Sequence, residues 1–127
     1  MQPRHIYEYA IVRVVPVVER EEFINTGVIV FCKKGKFIRM QYHLREDKIL
    51  ALSPDADIEE IRKNLEAFSK IASGQKDGGP IACLDEAERF RWLTAIRSAS
   101  IQTSRPHPGL SDDMEKTLQI LFTEMVG

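Results

Sequence analysis

The segment from Arg89 to Leu110 carries the residues best suited to binding chemistry. It contains four arginines, no lysine and no acidic residue, in a chain whose formal net charge is -1. Its hydroxyl side chains are Thr94, Ser98, Ser100, Thr103 and Ser104. A planar guanidinium can form two parallel hydrogen bonds to a carboxylate or phosphate, which a lysine ammonium cannot. The segment therefore indicates a site for an anion or an acidic partner.

Five residues of this segment are candidates for that site. Arg97 could hold the anion, Ser98 could donate a hydrogen bond, and His107 could titrate near neutral pH. Arg89 and Trp92 extend the candidate surface, because arginine and tryptophan are enriched where proteins bind partners. Structural roles are the alternative, since an arginine after a helix often bonds to helix carbonyls and a tryptophan often packs in the core.

Two further arginines come from predicted strands. Arg13 lies in an apolar run, where a charge is costly unless it is paired, and Glu8 or Glu22 could be its partner. Arg39 lies on the less apolar face of a predicted hairpin. Two hypotheses stay open: a structural ion pair for Arg13, or one cleft that joins Arg13, Arg39 and Arg97.

Other chemistries find little support in the sequence. Glu21, Glu22 and Asn25 could be ligands, but no second acidic cluster accompanies them, so we expect turn roles and no metal. Ser98 lacks the G-x-S-x-G setting of a nucleophile, and the chain has neither a P-loop nor a G-x-G-x-x-G motif. We therefore expect no cofactor.

Size and composition are those of one domain covering residues 1–127. The chain is 43% hydrophobic and 29% charged, which is ordinary for a globular protein. Its near-neutral charge argues against bulk electrostatic binding to nucleic acid or to an acidic membrane. The sequence also has no apolar run of the ~20 residues that a membrane span needs. We expect a cytoplasmic protein and leave its oligomeric state open.

The first half of the chain predicts a sheet. Ile6–Val15 is rich in β-branched and aromatic residues and is apolar on both faces, which indicates a central strand. Gly27–Lys33 and Lys36–His43 predict a hairpin whose turn is Lys34-Gly35, with the glycine at positive φ. The predicted register pairs Gly27 with Tyr42, Ile29 with Met40, Phe31 with Ile38, Val30 with Arg39, and Val28 with Gln41.

The second half predicts helices at 57–73, 85–96 and 112–126. Each begins with a D-x-x-E sequence that can cap a helix, at Asp57, Asp85 and Asp112. Residues 100–104 could form an edge strand, and RPHPGLS predicts a loop. Together the elements predict an α+β fold, with an antiparallel sheet of three to four strands and helices packed largely on one face.

Several motifs resemble an uncharacterised bacterial family, the domain of unknown function numbered 3037. The segments that carry the resemblance are YEYAIVRVVP, EREEFINTGVIVF, RFRWLTAIRSASIQTS and HPGLSDD. The pattern E-F-x-N-x-G-V is met by Glu22, Phe23, Asn25, Gly27 and Val28. The pattern R-F-x-W-L-x-x-P-R-S is met by Arg89, Phe90, Trp92, Leu93, Arg97 and Ser98. The pattern H-x-G is met by His107 and Gly109, and Ile96 departs from the family at the usual proline.

The resemblance implies no established activity, but it implies an association with HipA-like kinases, whose genes often neighbour those of the family. We therefore expect an accessory or interaction protein that docks an acidic or phosphorylated group of a partner, for which a HipA-like kinase is the candidate. One alternative is a phosphoester- or nucleotide-processing enzyme with Arg13, Arg97 and His107 in one pocket. Another is a nucleic-acid-binding module, which needs a continuous basic stripe around Trp92.

Overall fold

The computed structural model describes residues 4–97 and 99–127, which are organised around an antiparallel sheet. The strands are β1 (His5–Val14), β2 (Ile24–Cys32), β3 (Phe37–Tyr42), β4 (Ile101–Thr103) and β5 (His107–Ser111). Their order is β3-β2-β1, and β4 and β5 both pair with the remaining side of β1, at its opposite ends. The α+β prediction is confirmed, and the described chain forms a 5-stranded sheet instead of one with three to four strands.

The additional strand is β5, which lies within the segment predicted as a loop. Proline is tolerated on an edge strand, where its nitrogen can face away from the neighbouring strand. Pro108 lies opposite Glu8 of β1, at an edge beyond which the described residues form no further strand. The loop prediction for RPHPGLS is therefore wrong for His107–Ser111, because the edge position of Pro108 removes its cost, whereas Arg105 and Pro106 lie outside any strand.

Strand β1 is central, as its two apolar faces predicted. Ala10, Val12 and Val14 are fully buried on one face, and Tyr7 and Tyr9 pack against a separate cluster on the other. Apolar residues from both faces of one strand can be buried only if both faces of the sheet are covered.

The hairpin of β2 and β3 has the predicted register, with Phe31 opposite Ile38 and Gly27 opposite Tyr42. A Cβ at Gly27 would lie 2.8 Å from the Tyr42 Cβ, so glycine permits the close approach of β3. The turn covers four residues, and the positive φ of 48° is at Lys36 instead of Gly35.

The described helices are α1 (Glu46–Leu52), α2 (Ile58–Ser73), α3 (Glu86–Leu93) and α4 (Met114–Met125). Asp57 and Asp85 cap α2 and α3 as predicted, each accepting a hydrogen bond from the amide three residues on. The cap of α4 is Asp113 instead of Asp112, because its side chain is the one that accepts from the Lys116 amide.

The helices cover both faces of the sheet. The apolar residues of α1, α2 and α3 pack with Val12, Val14 and Ile29 in one core, which agrees with helices largely on one face. The apolar residues of α4 pack with Val28 and Val30 in a second core on the opposite face. The sheet is therefore enclosed between a group of helices and a single helix.

Candidate functional site

A hollow of about 720 Å³ opens beside β4, where the chain passes from α3 into the sheet. Its walls come from the end of β1, the short 3-10 helix Val18–Arg20, the segment after α3, and β4. We call it the arginine hollow, and its polar and aromatic lining consists of Arg13, Glu19, Glu21, Phe23, Arg97 and Gln102. Residues far apart in the sequence therefore meet at one edge of the sheet.

Arg13 lies in this hollow without a carboxylate partner. Its guanidinium carbon lies 4.1 Å from the centre of the Phe23 ring, in a cation–π arrangement. Its Nε is buried, and within the described chain it has no hydrogen-bond partner and no carboxylate oxygen within 4.0 Å. Glu22, one of the predicted partners, instead pairs with Arg20 at 2.7 Å. The structural ion pair considered for Arg13 is therefore not formed.

Arg97 is held in the same hollow by α3 and by aromatic rings. Its Nη2 donates a hydrogen bond to the Trp92 carbonyl, and its Nε donates to the Ala95 carbonyl at 3.4 Å. The guanidinium carbon lies 4.5 Å from the Trp92 ring centre and 5.0 Å from that of Phe68. Burial lowers the pKa of Arg97, but an arginine stays charged at neutral pH.

An apolar groove of about 250 Å³ adjoins the arginine hollow. We call it the tryptophan groove, and its main lining residues are Asn64, Phe68, Ile71, Trp92 and Ile101. Arg97 lines both spaces, because its guanidinium lies over the aromatic rings of the groove while it also faces the hollow. A ligand that occupies both spaces would therefore touch the same arginine.

Arg39 does not join this site. Arg39 and Arg13 lie on the same face of the sheet. Arg39 is level with Tyr9 of β1 but two strands away from it, and Tyr9 is four residues along β1 from Arg13. That separation is about 13 Å along the strands and roughly 9 Å across them. Arg39 also forms an ion pair with Glu115 of α4. The proposed single cleft of three arginines is therefore wrong for Arg39.

Arg89 is an interior residue, with 8% of its surface exposed. Its Nη1 donates to the carbonyls of Ile71 and Ala72 at 3.3 and 3.4 Å, in the last turn of α2. A cation is favoured at this end of a helix by the exposed carbonyls and the helix dipole. Arg89 therefore joins α3 to α2 and presents no guanidinium to a ligand.

These positions can be compared with known proteins. The model of the family described as Protein of unknown function (DUF3037) matches residues 9–126. The chain belongs to this family. No curated protein and no solved structure matches the chain. Within the residues that the structure describes, no helix is long and apolar enough to cross a membrane.

The H-x-G residues of this DUF3037 chain pack against the tyrosines of β1. The His107 ring centre lies 5.3 Å from that of Tyr9, its partner in the strand register. Gly109 is opposite Tyr7, and a methyl group on Gly109 would overlap the Tyr7 ring. His107 is thus about 13 Å along β1 from Arg13, at roughly 3.3 Å per residue. The enzyme alternative required both residues in one pocket, and this requirement is not met.

The first family motif makes a structural contact at the start of β2. The Asn25 Nδ2 donates to the carbonyl of Met125, at 3.3 Å, and so ties β2 to the end of α4. Glu22 is exposed beside the arginine hollow. Among the described residues, no three His, Cys, Asp or Glu side chains are grouped as a metal site would need. Ser98 lies outside the described residues.

Some residues of the site were not recognised from the sequence. Phe23 and Phe68 place the two guanidinium groups, yet Phe68 has only the signal of an apolar helix stripe. Gln102 enters the hollow because it lies opposite Arg13 in the register. Glu21, at the rim, has a φ of 60°, which is uncommon for a residue other than glycine and often marks a functional segment.

Proposed function

We propose that this DUF3037 protein is a cytoplasmic accessory protein whose arginine hollow binds an acidic or phosphorylated group of a partner protein. One observation carries the proposal. Arg13 and Arg97 line the same hollow, and neither has a carboxylate oxygen within 4.0 Å in the described chain. A carboxylate or phosphate that enters the hollow would find two positively charged side chains in its lining.

The two arginines are positioned before any ligand arrives. Aromatic rings support both guanidinium groups, and two carbonyls orient Arg97. A fixed side chain loses less conformational entropy on binding, so more of its interaction energy appears as affinity. A hydrogen bond to a charged group contributes about 1.5–3 kcal/mol, so the pair supports a specific interaction of moderate strength.

The rim of the hollow favours a protein partner over nucleic acid. Glu19 and Glu21 line the same hollow as the two arginines, so its charged lining is mixed in sign. A nucleic-acid backbone carries closely spaced negative charges and favours a continuous basic surface. The family resemblance makes a HipA-like kinase the first partner to test.

Co-purification and calorimetry with the HipA-like kinase test this proposal. We expect a complex with the native chain, and at least ~10-fold weaker binding for the double variant Arg13→Gln, Arg97→Gln, because two charged contacts are removed. Arg105→Gln is the matched control, since Arg105 is exposed between β4 and β5 and lies outside the hollow. A complex as tight with the double variant as with the native chain would contradict docking in the hollow. Failure of the native chain to bind would exclude this kinase as the partner.

A further inference from the structure

Strand β4 is an edge of the sheet with outward-facing backbone groups. The Val15 amide donates to the Ser100 carbonyl, directly opposite it, at 2.7 Å, and an equivalent bond closes the other end of β4 at 2.9 Å. In an antiparallel pair, bonded and non-bonded residues alternate. The amide and carbonyl groups of Ile101 and Thr103 therefore point away from β1. Among the described residues, no strand covers this side of β4.

The arginine hollow and the tryptophan groove lie on opposite faces of this edge. Gln102 lies opposite Arg13 in the register and faces the hollow with it. Ile101 faces the other way, into the core that contains Phe68, and it lines the groove. Successive side chains of a strand point to opposite faces. An extended segment added beside β4 would therefore place one side chain in the hollow and the next in the groove.

The direction of such a segment fixes the order of its residues. Every strand pairing of this sheet is antiparallel. A segment that pairs antiparallel with β4 meets Thr103 first, then Gln102 and then Ile101. Its residue opposite Gln102 faces the arginines, and the next residue in its sequence faces the groove. The sequence that fits is an acidic residue followed at once by an apolar residue.

The charges of the hollow favour a carboxylate over a phosphate. A carboxylate carries one negative charge, whereas a phosphorylated side chain carries about -1.5 to -2 at neutral pH. Glu19 and Glu21 lie exposed at the rim of the hollow and repel the larger charge more strongly. The groove of about 250 Å³ is walled by Phe68 and Trp92, which suits one large apolar side chain.

We infer that the free edge of β4 receives an extended segment of a partner protein in which an acidic residue directly precedes a large apolar residue. The carboxylate contacts Arg13 and Arg97, and the apolar side chain enters the tryptophan groove. The backbone of the segment bonds to Ile101 and Thr103, as in other complexes that add a strand to a sheet edge. This inference rests on the proposed function and specifies the chemistry of its ligand.

Trp92 provides the readout, because it is the only tryptophan of the chain and lies 38% exposed in the groove. The probes are capped peptides of threonine and valine with a central Glu-Leu pair and equal flanks on both sides. We expect Glu-Leu to shift the Trp92 emission to shorter wavelength in a saturable titration. Central Gln-Leu, Glu-Ser and reversed Leu-Glu pairs should bind ~10-fold more weakly or not at all, because each loses a contact worth about 1.4 kcal/mol. A phosphoserine-Leu peptide should also bind more weakly.

Backbone methylation tests the strand pairing without altering the protein. The leucine amide of the peptide lies opposite Ile101 and bonds to it, whereas the glutamate amide points away from β4. N-methylation of the leucine should therefore abolish binding, and N-methylation of the glutamate should be tolerated. Equal affinities of these two peptides would overturn the strand pairing. Equal affinities of the Glu-Leu and Leu-Glu peptides would overturn the predicted order, and tighter binding of phosphoserine-Leu would overturn the preference for a carboxylate.

The peptide experiment can fail independently of the proposed function. If the kinase binds through Arg13 and Arg97 but Glu-Leu peptides bind no better than the reversed ones, this inference is wrong and the docking proposal stands. If the kinase binds equally well to the double variant and the native chain, the hollow has no docking role, and the inference fails with the proposal.

Discussion

Arg89 and Arg97 stand eight positions apart in one motif, and the structure gives them opposite surroundings. The Arg89 guanidinium is buried at the end of α2, where two carbonyls accept its hydrogen bonds. The Arg97 guanidinium lies over the Trp92 ring and lines a hollow that it shares with Arg13. Arg89 therefore joins two helices, whereas Arg97 also bonds to a carbonyl at a helix end but keeps its guanidinium on the lining of the hollow.

Replacing Arg89 should have the largest effect on stability. Arg89→Met removes the hydrogen bonds to the Ile71 and Ala72 carbonyls, and only the Ile71 carbonyl keeps another donor, the Gly74 amide. The loss should cost about 2–4 kcal/mol. Urea denaturation measures this loss. The control is Arg91→Met on the exposed side of α3, which should change stability by less than about 0.5 kcal/mol. Equal stabilities of the two variants would show that Arg89 does not join the helices.

Gly74→Ala should have the next largest effect, because Gly74 ends α2 with a φ of 70° beside Arg89. The left-handed conformation costs a non-glycine residue about 1 kcal/mol, and the new methyl group would overlap the Arg89 Nη1. Denaturation of the single variant and of the double variant with Arg89→Met measures both contributions. We expect a smaller cost of Gly74→Ala when Arg89 is absent. The same cost of Gly74→Ala with and without Arg89 would mean that the contact between the new methyl group and Arg89 does not reduce stability.

Arg97→Gln should reduce stability by no more than about 1 kcal/mol, because its contacts are partly exposed. It should nevertheless change the fluorescence of Trp92, since the charge over the indole ring is removed. Denaturation and emission spectra of the same variant check both expectations. A loss of stability as large as that of Arg89→Met would erase the contrast between the two arginines.

Arg13→Gln should have the smallest effect on stability, within about 0.5 kcal/mol, because Arg13 forms no ion pair in the described chain. A half-buried charge without a carboxylate partner is costly, so its removal offsets the lost contact with Phe23. Thermal unfolding measures the change. Destabilisation of 2 kcal/mol or more would assign Arg13 to the fold and not to a docking site.

The parts of the fold that depend on neighbouring residues could be predicted from the sequence. The alternation of side chains along the two strands predicted the hairpin register, because a shift by one residue would expose the face that carries Ile29 and Phe31. The Asp57 and Asp85 caps could also be predicted, because each cap depends on an amide only three residues along the chain. Strand β5 was not predicted, because the tolerance for Pro108 depends on the edge position that the whole sheet assigns to it.

The sequence predicted some of the residues that belong to the candidate site, but it did not predict how they are arranged in space. The sequence identified Arg13, Arg97 and Trp92 as unusual, and the structure places them along one edge of the sheet. It could not show that a glutamate of α4 would pair with Arg39, since the two residues are 76 positions apart. Contacts of this kind depend on the packing of elements that no local pattern specifies.

The most direct test of the docking claim is to observe the arginines themselves. In a ¹⁵N-labelled chain, nuclear magnetic resonance can follow each guanidinium Nε–H during titration with the Glu-Leu peptide. We predict saturable shifts of the Arg13 and Arg97 signals, while the Arg39, Arg89 and Arg105 signals stay unchanged. Shifts spread evenly over these five arginine signals, or unchanged Arg13 and Arg97 signals at saturating peptide, would contradict docking in the hollow.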